Sequence, residues 1–110
     1  MYKGFGGMGG ANMQNLMRQA QKMQEEMVKK QQEAEEKLEN TVLSASSGGG
    51  MVTVEITGSK KITAVKINPA AVDPDDVEML EDMVLACVNE ALVKADELEK
   101  ELKPNLLGGM

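Results

Sequence analysis

Between Val77 and Leu102 the chain carries apolar residues at Val77, Leu80, Val84, Cys87, Ala91, Ala95, Leu98 and Leu102. Steps of three and four draw these into one stripe along an α-helix. Around the middle, Met79, Met83, Leu85, Ala86, Val88, Leu92 and Val93 widen the stripe onto a second side. A helix that is apolar on more than one side has to be covered on more than one side. That demand governs what the rest of the chain can do. The start is written in Asp73-Pro74-Asp75-Asp76, which offers a capping carboxylate, a proline at the first helical position and acids in the first turn. Pro104 ends it.

The first half of the chain predicts a second helix over residues 12–40, roughly 40 Å long at 1.5 Å per residue. Asn12 is placed to cap it, and Met13, Leu16, Ala20, Met23 and Met27 follow at three-four spacing. Lys30 interrupts the series, which resumes at Ala34 and Leu38. This is a coiled-coil-like seam built from methionine, a soft side chain that repacks readily, and it reads as core or as a dimer seam. Residues 31–39 are charged on most sides and predict a solvated surface. The glycine-rich residues 1–11 and the residues 104–110 predict flexible tails around a single domain spanning 12–103.

Three short strands lie between the helices. Residues 41–46 form a weak one, with Val42 and Leu43. Residues 51–57 alternate cleanly, with Val52, Val54 and Ile56 on one face, and residues 61–67 place Thr63, Val65 and Ile67 together. Ser47-Gly48-Gly49-Gly50 and Gly58-Ser59-Lys60 are the turns between them. The expected fold is α+β: a long helix, a three-stranded antiparallel β-meander and a long helix. One helix and three strands hardly cover the broad second helix, so a homodimer is expected to close over Met83, Val84, Cys87, Val88, Ala91 and Leu92.

Several classes of function find no chemistry here. The chain has no His or Trp, one Tyr and one Phe, which removes imidazole metal and acid–base sites and a base-stacking surface. Gly48-Gly49-Gly50 leads into a strand without a Lys-Ser/Thr pair, so it is a hairpin turn and not a phosphate loop. Cys87 is a small buried hydrophobe, and Asp73, Asp75 and Asp76 are accounted for as helix-cap partners. No enzyme, cofactor, metal or small-molecule substrate is expected. The single cysteine fits a reducing compartment, and no apolar run predicts a membrane span, so a cytoplasmic location is expected.

The net charge of −6 conceals a gradient. As far as Gln24 the charged side chains are Lys3, Arg18 and Lys22, without an acid; from Pro69 onward eleven acids face only Lys94, Lys100 and Lys103. A partner bearing phosphates has one basic end to approach. Arg18, Lys22 and Lys29 share one side of the first helix at spacings of four and seven. Taken alone, such cations are ordinary solubilising charges.

The order of elements meets a known family in Leu16-Met17-Arg18-Gln19-Ala20-Gln21-Lys22-Met23-Gln24. Gly50-Met51-Val52-Thr53-Val54, Gly58, Ile67-Asn68-Pro69, Leu80-Glu81-Asp82-Met83-Val84 and Asn89-Glu90-Ala91 add to it. Together they resemble the YbaB/EbfC nucleoid-associated proteins along nearly the whole chain. The resemblance implies an intertwined homodimer whose long helices project as arms. It also implies binding of duplex DNA with little sequence demand, at the nucleoid, with effects on nucleoid organisation and gene expression. In its light Lys3, Arg18, Lys22, Lys29, Lys60 and Lys61 become candidate phosphate contacts. The chain departs from the family pattern at Leu92-Val93-Lys94-Ala95-Asp96-Glu97, where other members carry arginines, which leaves the contacts to the first-helix cations and the hairpin pair Lys60-Lys61. The alternative reading is a protein-binding adapter or chaperone-like coiled-coil dimer, which the methionine seam also suits.

Overall fold

The computed structural model describes the backbone of residues 2–104 and the side chains of residues 12–104. Helix α1 (Tyr2–Asn40) leads into strands β1 (Val42–Ser47), β2 (Val52–Thr57) and β3 (Ile62–Ile67). A single 3-10 turn (Pro69–Ala71) then precedes helix α2 (Val77–Leu102). The strands pair antiparallel in the order β1-β2-β3, so the chain has the expected α+β order of helix, meander and helix. It divides into two units, residues 1–33 and residues 34–110.

Helix α1 begins at Tyr2, ten residues before the start expected at Asn12. Five glycines there each disfavour helix by about 1 kcal/mol. Extending a helix that already exists, however, adds a hydrogen bond per residue with no new nucleation. Asn12 therefore lies inside the helix and does not cap it. The tail expected over residues 1–11 is helical from Tyr2 on, and its side chains lie outside the described residues. Beyond Pro104 the expected C-terminal tail also lies outside them.

Helix α2 spans the stretch that its apolar stripe marks, but its start differs in detail. Asp76, not Asp73, is the cap, its carboxylate accepting the Met79 amide at 3.3 Å. Asp73-Pro74-Asp75-Asp76 forms a turn ahead of the helix. The Asp73 side chain accepts from the Asp75 amide at 2.9 Å, and its carbonyl accepts from the Asp76 amide at 3.0 Å. An aspartate that bonds its own backbone two residues on favours a turn over a helix, which moves the start past the proline.

In the meander, Val52, Val54 and Ile56 are fully buried, as the alternation requires. Helix α2 lies across β1 and β2 and sets Cys87, Ala91 and Ala95 against them, all without exposed surface. Small side chains at every fourth position let helix and sheet approach closely. The Cys87 thiol lies 3.1 Å from the Ala45 carbonyl and 3.6 Å from that of Val52. The β1–β2 turn holds Gly48, Gly49 and Gly50 at φ of 61°, 68° and 91°, a left-handed run that side chains resist. At Gly58 a Cβ would come within 2.8 Å of Leu38 Cδ2 and 2.9 Å of Leu98 Cδ2. Gly58 thus keeps the space in which the last turn of α1 and the end of α2 meet the sheet.

Strand β3 departs from simple alternation. Val52 pairs with Ile67 and Val54 with Val65, yet Ile56 pairs with Ile62, because the register shifts between Glu55 and Ile56. Thr63 is the surplus residue of a β-bulge, so Ile62 and not Thr63 aligns with Val65 and Ile67. Directly opposed residues share a face, so these three lie on the side that α2 covers over β1 and β2. Over β3 the cover is missing, and Ile62, Val65 and Ile67 remain 40–49 % exposed.

Candidate nucleic-acid interface

At 100° per residue, Arg18, Lys22 and Lys29 fall within about 40° of arc on helix α1. Their levels along the axis differ by roughly 6 Å and then roughly 10 Å. All three are exposed, and among the described residues none forms an ion pair. Glu25 stands on the same side, within about 20° of Arg18. It interrupts the positive face, and the spacing that groups the three cations also places this acid among them. Lys3 lies in the first turn of α1, with its side chain outside the described residues.

The remaining cations are mostly engaged. Lys60 sits in the β2–β3 turn at φ 70°, with Nζ 3.4 Å from Asp96 Oδ1 and 3.8 Å from Glu99 Oε1. Thr57, buried at the end of β2, fixes that turn: its hydroxyl lies 2.7 Å from Ser59 Oγ and accepts from the Lys61 amide at 3.1 Å. Lys100 reaches the other oxygen of Asp96 at 3.2 Å. Hydrogen bonds from Lys100 and then Lys60 hold the Asp96 carboxyl below its ordinary value of 3.8. Lys66 pairs with Glu55 and Lys103 with Glu35, each at 3.4 Å. Lys94 donates to the Ser44 carbonyl at 2.7 Å, laying a charge along strand β1. Of the two turn lysines, Lys60 shares its charge with two carboxylates, whereas Lys61 is exposed and forms no ion pair among the described residues.

A second surface lies beside β3. Ile67, Leu80, Val84, Leu85 and Val88 line an open and almost wholly apolar groove between β3 and α2. The six residues expected at a dimer interface divide here. Val84 and Val88 line the groove, Leu92 is 37 % exposed, and Met83 is half-buried beside Gly48. Cys87 and Ala91 have no exposed surface within the single chain, so these two belong to its internal core. Ile62, Val65, Ile67, Leu80 and Leu85, none of them among those six, belong to this apolar surface as well. The signal was present in the β3 pattern, which is as apolar as that of β2.

Comparison with known proteins places the chain in a family. The model of the YbaB/EbfC DNA-binding family matches residues 8–110. The chain belongs to that family. It is 52 % identical over 108 residues to a nucleoid-associated protein of Ruminiclostridium cellulolyticum, covering 97 % of this chain and 90 % of that one. A nucleoid-associated protein of Alkaliphilus metalliredigens is 49 % identical over 109 residues, 98 % of this chain and 92 % of the other. Among solved structures, an uncharacterized protein of Helicobacter pylori superposes with a TM-score of 0.71 at 27 % identity, over 81 % of this chain and 94 % of that one.

As a YbaB/EbfC chain it presents Arg18, Lys22 and Lys29, unpaired among the described residues, on one side of α1 and its densest acids on and before α2. Among the described residues no three His, Cys, Asp or Glu side chains gather as a metal site, and no helix is long and apolar enough to cross a membrane.

Proposed function

We propose that this YbaB/EbfC chain binds duplex DNA as a homodimer, with little sequence demand, and so affects nucleoid organisation and gene expression. The observation that carries the reading is the side of α1 bearing Arg18, Lys22 and Lys29. It presents three cations, unpaired among the described residues, in a chain whose net charge is −6. Cations spaced along one helix side suit a line of phosphates, and phosphate contacts position a protein without reading bases. Sequence reading needs a set of side chains held against base edges in a groove. Gln14 and Gln32, which flank the cations on that side of the helix, are too few to form one, so binding is phosphate-led, with any preference arising from duplex shape.

The groove beside β3 supports the homodimer. Lys94 guards strand β1 at the other side of the sheet, as charged side chains commonly do at sheet edges. That leaves the apolar β3 side, with Val65, Ile67 and Leu85, for a second copy to cover. The relatives named nucleoid-associated support a nucleoid location for this chain. Competition between unrelated duplexes at matched salt tests the proposal. Comparable binding to all is expected, and discrimination beyond about a thousandfold would refute it, since specific binders begin there.

A further inference from the structure

Met13, Leu16, Met23 and Met27 are each 61–64 % exposed on helix α1, and nothing among the described residues covers them. With Ala20 they step by three and four in strict alternation, a repeat of seven residues from 13 through 27. A strict seven-residue repeat is the signature of a helix that packs along another helix of the same kind. We propose that this seam takes helix α1 of a second copy of the chain, running antiparallel. This contact between copies is separate from the groove beside β3 and does not depend on DNA binding.

The orientation and register follow from the seam itself. In a parallel, in-register pair every seam residue meets its own copy, so Lys30, which holds the next seam position, meets a second Lys30. Two ammonium groups are then pressed together in an apolar seam. In the antiparallel arrangement with Leu16 opposite Met27, Ala20 falls opposite Met23 and Met13 opposite Lys30. Small then meets large in the central layers, which suits close packing, and the two lysines lie at opposite ends of the seam. The flanking positions agree: Gln19 faces Glu26 and Met17 faces Gln24, so no like charges oppose one another. The occupant is self-complementary in shape and in charge.

Arg18, Lys22 and Lys29 are centred roughly 160° around the helix from the seam, at 100° per residue. Pairing along the seam therefore leaves the cations of both helices on the outer sides.

Disulfide trapping in the full-length protein without DNA tests the arrangement. With Leu16→Cys and Met27→Cys in one chain, each new thiol faces the other in the antiparallel register, and mild oxidation should yield a covalent pair on a non-reducing gel. Either substitution alone should yield none, because the matching thiols then sit about 16 Å apart along the axis, beyond the roughly 7 Å that a disulfide spans between Cα atoms. The unsubstituted chain, with Cys87 buried, is the control. A covalent pair from either single variant would overturn the register in favour of a parallel pair. No covalent pair from the double variant would overturn the seam as a contact between copies, and capture of a different protein there would do the same. Trapping without any DNA binding would leave this inference standing while the proposed function fails.

Discussion

Replacing Arg18 and Lys22 by Gln should change how DNA binding responds to salt more than it changes anything else. A homodimer presents the Arg18, Lys22 and Lys29 side twice, three cations for each of two copies. If each meets a phosphate, the logarithm of affinity falls against the logarithm of salt with a slope of about −5.4, at about 0.9 per contact. The double variant keeps one contact per copy and a slope of about −1.8. Raising salt from about 50 to about 200 mM should then weaken the parent by roughly 1,800-fold and the variant by roughly 12-fold. Fluorescence anisotropy on one short duplex across that range reads both slopes. Both positions are exposed on a helix surface, so folding should change by only tenths of a kcal/mol. Glu25 supplies a control of opposite sign. A carboxylate about 6 Å from a phosphate repels it by roughly 0.7 kcal/mol in water, so Glu25→Gln should tighten binding by roughly threefold per copy before screening and by less after it. Equal slopes for parent and double variant, or weaker binding by Glu25→Gln, would refute DNA running along this side of α1.

Val65→Asp puts a carboxylate on the half-exposed face of β3, where burial against a second copy would cost several kcal/mol. Light scattering should show a mass below the parent's while circular dichroism stays native, and an unchanged mass would place this contact elsewhere than on β3. Gly58→Ala should destabilise by about 1–3 kcal/mol, since its Cβ must displace Leu38 and Leu98. A urea melt unchanged from the parent would contradict that crowding. The lowered Asp96 value means that its contribution to stability is fully present above 3.8 and is lost as pH falls through the lower folded value. Asp96→Asn should therefore flatten the acid limb of a Tm-against-pH curve below that point, and a limb as steep as the parent's would show that Lys60 and Lys100 contribute nothing through it.

Repeating patterns of several residues were legible in the sequence, and single-residue decisions were less so. The apolar stripe from Val77 to Leu102 matches α2, and the alternation at Val52, Val54 and Ile56 matches the buried face of β2. Each pattern sums many small burials that point the same way. The helix cap did not read correctly, because Asp73 and Asp76 have the same chemistry and the choice rests on which backbone amide each reaches. Thr63 was placed on the wrong face because a bulge leaves no mark in a hydropathy pattern. Cys87 and Ala91 look like interface residues by position, but whether a small side chain faces its own sheet or a neighbour depends on the tilt of the helix. Lys60 looked like a free turn cation because its acidic partners lie 36 and 39 residues away in sequence. Glu25 could have been found from spacing alone.

The bulge in β3 sets which changes of length the strand can absorb. Taking Thr63 or Ala64 out would leave Ile62 opposite Ile56 and Val65 opposite Val54, in an unbroken ladder with the same side chains on the same face. Taking out Val65 or Lys66 and closing the bulge would instead bring Ala64 opposite Val54, in the place of Val65 on the covered face. Shortening is therefore tolerated at the 63–64 step and not further along. The surplus residue also makes the composition of this step matter more than its exposure suggests: an apolar side chain at 63 would invite the regular pairing that places residue 63, not Ile62, on the covered face. A polar residue at 63 is what keeps the strand from slipping into that second register.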